Sequence, residues 1–357
     1  MRNVLKEALS VLVLASLVAL LNACTSKENS ATQTSVQRLS DADLLAYAYE
    51  QAPKRQHSEI VPIPEKLPLL EKEVALGQKL FFDPRLSADN SIACATCHQF
   101  NHAGADPRPV SLGIKGQAGE LNSLPVFNSV FNFKQFWDGH AKDLIDQVRF
   151  PLTNPVEMGQ PSMQAVVDKL QTLPEYPKLF NETYPAEGLT ADTLAYSIAQ
   201  FERSLLTPNS AFDRFLKGEK DALTPQALQG YQLFKQMGCI ACHNGINIGG
   251  NLFQKAGIFN PLTATGADSQ KWLGRYNVTH NPQDKFFIKV PSLRNVALTA
   301  PYLHDGSINT LSKVIRFMAK NQLGTDISET DNQAIEAFLH SLTGQQPSIS
   351  LMDATHE

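Results

Sequence analysis

Two five-residue segments constrain this chain more than anything else in its 357 residues: Cys94-Ala95-Thr96-Cys97-His98 and Cys239-Ile240-Ala241-Cys242-His243. Each is a Cys-x-x-Cys-His sequence, the attachment pattern of a covalent c-type haem. The spacing has a physical reason. Two thioethers to the vinyl groups fix the porphyrin edge, and the next residue sets an imidazole beneath the iron. Four such cysteines in an exported chain would otherwise read as two disulfides, and an isolated pair as a redox dithiol or half of a zinc site. Here both pairs are followed at once by His, which points to two haems. The fifth cysteine is Cys24, so no thiol is left over.

The amino terminus carries Arg2 and Lys6 and then an apolar run from Ala8 to Leu21, too short and lopsided for a stable membrane span. It reads as an export signal over residues 1–23. Leu21-Asn22-Ala23-Cys24 resembles the bacterial lipobox, which would make Cys24 the lipidated first residue; ordinary cleavage near Ala23, with Cys24 incidental, is the alternative. Residues 24–40 are rich in Ser, Thr, Gln and Asn and too poor in apolar side chains to fold, so they read as a flexible tether. The expected location is the periplasm or cell envelope, on a lipid anchor. A net charge of -4 and a pI near 6.2 give no basic surface for nucleic acid.

The length allows two domains with their own cores, and an internal repeat gives each domain one haem segment. Gly77-x-x-Leu80-Phe81 precedes the first segment and Gly230-x-x-Leu233-Phe234 the second, in helical stretches Glu71 to Phe82 and Thr224 to Met237. There, Gly permits a close helix crossing and Phe packs beside the haem. Each half closes with a similar amphipathic stretch, Ile198-Ala199-Gln200-Phe201 with Leu205 and Ile335-Glu336-Ala337-Phe338 with Leu342. Between them Asn128, Asp138, Gly139 and Leu144 match Asn295, Asp305, Gly306 and Leu311 at a constant offset of 167.

In this register Met318, on the helical stretch Thr310 to Lys320, pairs with Pro151. A Met on an amphipathic helix is usually core filler. A c-type haem, however, commonly takes a thioether from downstream of its His, and Met237, Met158 and Met163 are poorer placed, so Met318 is the candidate sixth ligand of the second haem. Pro151 has no ligand atom, which leaves the first haem open to a small molecule.

These residues resemble the bacterial diheme cytochrome c peroxidase family from about Leu67 to Gly344. The likeness extends to Leu80-Phe81-Phe82-Asp83-Pro84-Arg85-Leu86-Ser87, Gln135-Phe136-Trp137-Asp138-Gly139, Pro155-Val156-Glu157-Met158, Pro291-Ser292-Leu293-Arg294-Asn295 and Tyr302-Leu303-His304-Asp305-Gly306. The resemblance implies a mainly α fold of two cytochrome c-like haem domains, 41–207 and 208–346, with minor β structure and a tail over 347–357. The first haem would be the peroxide site and the second the high-potential electron entry, with His98 and His243 as proximal ligands and Met318 as the second haem's Met.

The same resemblance makes Trp137 the aromatic between the haems, Glu157 the distal carboxylate and Gln147 its amide neighbour. It also implies calcium at Asn122, Thr299 and Pro301, a cytochrome c or cupredoxin donor, and often a homodimer. The implied reaction is reduction of hydrogen peroxide to water. MauG-like oxidation of a partner protein is one alternative, although there Tyr replaces the axial Met; a diheme electron carrier or sensor is another. One departure stands out: many members carry a blocking His in the loop that here reads Val110-Ser111-Leu112-Gly113-Ile114-Lys115-Gly116, with Ile114 in its place. His102 is the nearest imidazole that could substitute.

Overall fold

The computed structural model describes residues 38–53, 59–260 and 273–347. The export signal, Cys24, most of the tether and nearly all of the tail lie outside them. Contacts divide the chain after Leu39, and Ser40–Glu357 is one unit. Among the described residues the regular secondary structure is helical apart from one antiparallel pair, β1 (Phe253–Lys255) and β2 (Phe287–Lys289), and isolated bridges. The helices that position the site are α1 (Asp41–Gln51), α2 (Glu71–Phe81), α3 (Ala191–Ser204), α4 (Pro225–Gln236), α5 (Leu311–Gln322) and α6 (Glu329–His340).

Local chemistry explains where these helices start. The hydroxyls of Thr190, Thr224 and Ser328 accept the N–H groups of Thr193, Ala227 and Asp331, and Pro225 takes the first turn, where no N–H is needed. Glu71 and Glu73 open α2 and Lys79 closes it, each complementing the helix dipole.

Two hydrophobic clusters organise the unit. The first gathers Leu80 and Phe81 of α2, Phe201 of α3 and side chains such as Val166, Tyr176 and Phe180. The second gathers Phe212, Phe234 of α4, Ile315 of α5 and Phe338 of α6. Both close on a glycine. A Cβ on Gly77 would lie 1.9 Å from the Ser197 carbonyl oxygen, and one on Gly230 1.8 Å from that of Ala334, so α2 crosses α3, and α4 crosses α6, at a distance only glycine permits.

The offset of 167 is visible in the backbone. Asn128 and Asn295 both sit in the left-handed region, at φ 60° and 61°, as do Phe136 and Leu303, at 66° and 72°. Isolated bridges Gln135 to Ala141 and Tyr302 to Ile308 close equivalent turns. The two asparagines also meet a common partner: their side-chain amides donate to the Thr207 hydroxyl oxygen at 2.7 and 2.8 Å, and all three residues are buried.

The amino-terminal segment, which the sequence alone assigns wholly to the first domain, spans both clusters. Asp41 caps the Leu144 N–H and accepts from the Arg203 Nε at 2.7 Å on the first side. Ile60 belongs to the second cluster. Arg294, paired with Asp213 at 2.7 Å and almost fully buried, donates to the Val61 carbonyl, and the Ile63 N–H donates to Asp213. The pattern missed this because a short apolar segment carries no sign of which core it joins.

Thr207→Val removes the acceptor of two buried amides. It is expected to cost about 2–5 kcal/mol in chemical denaturation, since each unsatisfied buried donor costs roughly 1–3 kcal/mol. Thr207→Ser, which keeps the oxygen, should unfold close to the parent.

Candidate functional site

The second Cys pair opens onto a cavity of about 190 Å³. Cys239, His243 and Met318 share its wall with Phe234, Leu293, Ile315 and Leu339, an apolar lining of the kind a macrocycle face packs against. Met237 lines it too, so two thioethers face the cavity where sequence reasoning favoured one. Trp137, Asn122, Thr299 and Pro301 are also in the wall.

Both histidines are prepared as ligands. The His98 Nδ1–H donates to the Gly104 carbonyl at 3.0 Å and the His243 Nδ1–H to that of Ile248 at 3.3 Å, which leaves each Nε2 with its lone pair. Burial lowers both pKa values, that of His243 to about 4, so both rings are neutral. Phe81 and Phe234 stand at 6.4 Å from the two rings, equivalent contacts in the two halves. None of the four motif cysteines is tied up in a disulfide, so all four are available for thioether attachment. Burial raises the thiol pKa of Cys94, and that of Cys239 to about 11.

Pro151 lies in the short helix Arg149–Thr153, which follows Leu144–Gln147. Beyond it the chain turns back: the Met158 N–H donates to the Pro151 carbonyl and the Glu157 N–H to that of Asn154. This turn carries Glu157. Its carboxylate accepts from the Asn154 Nδ2 at 2.8 Å, and burial raises its pKa while Asn154 and the charge of His140 pull the other way. The Gln147 Oε1 is buried with no partner among the described residues.

The loop of Ile114 is pinned to the same turn. The Ile114 N–H donates to the Glu157 carbonyl at 2.8 Å, and a Cβ on Gly113 would lie 2.0 Å from the Val156 oxygen. The His102 ring is tethered by its Nε2–H, which donates to the Ala300 carbonyl at 2.6 Å. The sequence reading overlooked that bond, which joins residues 198 positions apart.

Trp137 is buried; its Nε1–H donates to the Asn122 carbonyl at 2.9 Å, and its ring meets that of His304 edge-on at 6.2 Å. The Asn122 side-chain amide donates to the Arg108 and Pro109 carbonyls. Sequence reasoning missed His140, which stacks on Phe136 at 4.0 Å and bonds Asp138 at 2.6 Å. It also missed Asn154. The position of Asn154, three residues before Glu157 in a tight turn, is the only signal that could have found it.

A helical chain with two Cys-x-x-Cys-His segments, each His oriented through its Nδ1, defines the class of di-haem c-type cytochromes. Residues 71–221 match the family model described as di-haem cytochrome c peroxidase. Cytochrome c peroxidase Ccp of Escherichia coli (strain K12) is 46% identical over 296 residues, covering 82% of this chain and 63% of that protein's own length. Cytochrome c551 peroxidase of Pseudomonas aeruginosa is 43% identical over 296 residues, covering 81% of this chain and 85% of that one. The crystal structure of a MauG-like protein associated with microbial copper homeostasis superposes with a TM-score of 0.71 at 26% identity, covering 82% of this chain and 95% of that one. The chain belongs to the di-haem cytochrome c peroxidase family, and membership implies two c-type haems.

Two thioethers at the second cavity set a test. Met318→Ala is expected to abolish the high-potential transition in a redox titration, because losing a Met ligand favours ferric iron. Met237→Leu should leave it in place. The reverse result would make Met237 the ligand.

Proposed function

We propose that the chain reduces hydrogen peroxide to two waters with two electrons and two protons, drawing the electrons from a cytochrome c or cupredoxin. The reading places a haem on Cys94, Cys97 and His98 as the peroxide site. A second, on Cys239, Cys242 and His243 with Met318, would be the electron entry, each haem in its own cytochrome c-like domain. When bound, the haems supply the redox chemistry; the chain supplies orientation, exclusion of water and the proton. Trp137 is the relay between the sites, and Asn122, Thr299 and Pro301 are the calcium positions. The lipid anchor at Cys24, the periplasmic location and a homodimer belong to the same proposal.

The observation that carries this reading is the state of Glu157. Cleavage of the peroxide bond needs a proton moved from the inner oxygen to the outer one, and a carboxyl does this best when its pKa lies nearer the working pH. Burial moves Glu157 in that direction. Asn154 fixes one carboxylate oxygen, and the backbone bond from Ile114 fixes the turn. The unpartnered Gln147 oxygen offers an acceptor for a peroxide hydrogen. A pure electron carrier needs neither group. Glu157→Gln should retain two haems with normal spectra while steady-state turnover falls by about 100-fold or more; retained turnover would remove Glu157 from the mechanism.

Activation follows from two positions without a ligand atom. Ile114 is held against the Glu157 turn, Pro151 has no donor, and the His102 ring is tethered through its Nε2 to the Ala300 carbonyl. The resting ferric site on His98 is therefore expected to give a high-spin resonance signal and to react with peroxide in stopped flow without prior reduction. Two low-spin signals, with reaction only after one-electron reduction, would mean another side chain blocks the site.

A further inference from the structure

Lys289 is 1% exposed, among the largest fully buried side chains. Its ammonium has neither ion pair nor hydrogen bond among the described residues, and burial alone accounts for its lowered pKa, near 8, with no carboxylate opposing it. Buried lysines are normally paired, because removing an ammonium from water without a counter-charge is expensive. Arg275, close by, differs: its guanidinium donates to the Asp138 and Gly139 carbonyls and covers the Phe253 ring at 4.9 Å.

The strand pair sets where Lys289 faces. Successive side chains of β2 alternate, and Ile288 lines the cavity of Cys239 and His243. Lys289 therefore takes the opposite face with its cross-strand partner Phe253. That face lies against the first half of the repeat. Phe253 meets the Phe133 ring at 5.0 Å and fills the space beside Gly139, and the Lys289 N–H donates to the Trp137 carbonyl at 2.7 Å. The second half thus carries an unpaired cation on the face that packs against the first half, whose haem segment is Cys94 to His98. Each haem brings two carboxylates, the counter-charge the protein omits.

We propose that Lys289 anchors a propionate of the haem carried by Cys94, Cys97 and His98, so that a residue of the second half holds the cofactor of the first. The proposal rests on the haem assignment above and not on peroxide being the substrate. An ammonium beside a haem carboxylate favours the ferrous state, so its loss lowers that haem's potential.

The test is a spectroelectrochemical titration of the holoprotein, with haem content and peroxide turnover measured on the same samples. In Lys289→Met the transition that Met318→Ala leaves in place should fall by at least tenfold in the reduction equilibrium, about 59 mV for one electron. The high-potential transition should stay put, and Lys289→Arg should restore the parent value. An unmoved first transition, or a shift confined to the second haem, overturns the proposal. If the Met variant does not carry two haems, Lys289→Gln is titrated against the same criteria. Absence of turnover in the parent protein would count against the peroxidase reading and leave the titration intact.

Discussion

A single hydroxyl oxygen holds the two repeats in register. Thr207 accepts one amide from Asn128 and one from Asn295, and each asparagine is the left-handed residue that starts an equivalent turn. From those turns the chain runs on to Trp137 in one half and to Tyr302, Leu303 and His304 in the other. The edge-on contact between Trp137 and His304 is thus set at its root by Thr207. Because the hydroxyl is buried, water cannot replace either amide. The relative placement of the two haem segments therefore depends on a group that belongs to neither.

On this near-symmetric frame the halves differ where chemistry demands it. Helix α5 runs unbroken through Met318, whereas the matching stretch is two short helices carrying Pro151 and then a tight turn bearing Glu157. Pro151 carries neither a thioether nor an N–H, and the short helix that holds it stops two residues later, at Thr153, before the chain turns back to present the Glu157 carboxyl. The loop of Ile114 then closes on that turn through the backbone bond to Glu157 and through the Ile114 side chain, which lies over Gly159.

Much of this was legible before any coordinates. The haem segments and the glycine crossings rest on local spacing, and local spacing is what a sequence displays directly. What could not be read depends on partners far apart. The bond from His102 to Ala300 spans 198 residues, and that from Arg294 to Val61 spans 233. Lys289 reads as an ordinary strand end, and only tertiary burial reveals it as uncompensated. His140 reaches Phe136 through a turn whose left-handed residue is a phenylalanine, which no propensity favours.

The passage of residues 59–63 through the second core has a consequence for how the molecule is made. Ile60 and Ile63 lie far from Phe212 and Asp213, their partners, along the chain; the bond from Ile63 to Asp213 alone spans 150 residues. The first core is complete within residues 76–205, but the second needs an apolar segment from the far side of the first. Long-range closure of this kind slows folding and prolongs exposure of sticky surface. A chain cut between the halves would leave the carboxy-terminal piece without part of its own interior. The two haem segments are therefore bound into one folding event, although each looks in sequence like a small cytochrome sufficient to itself.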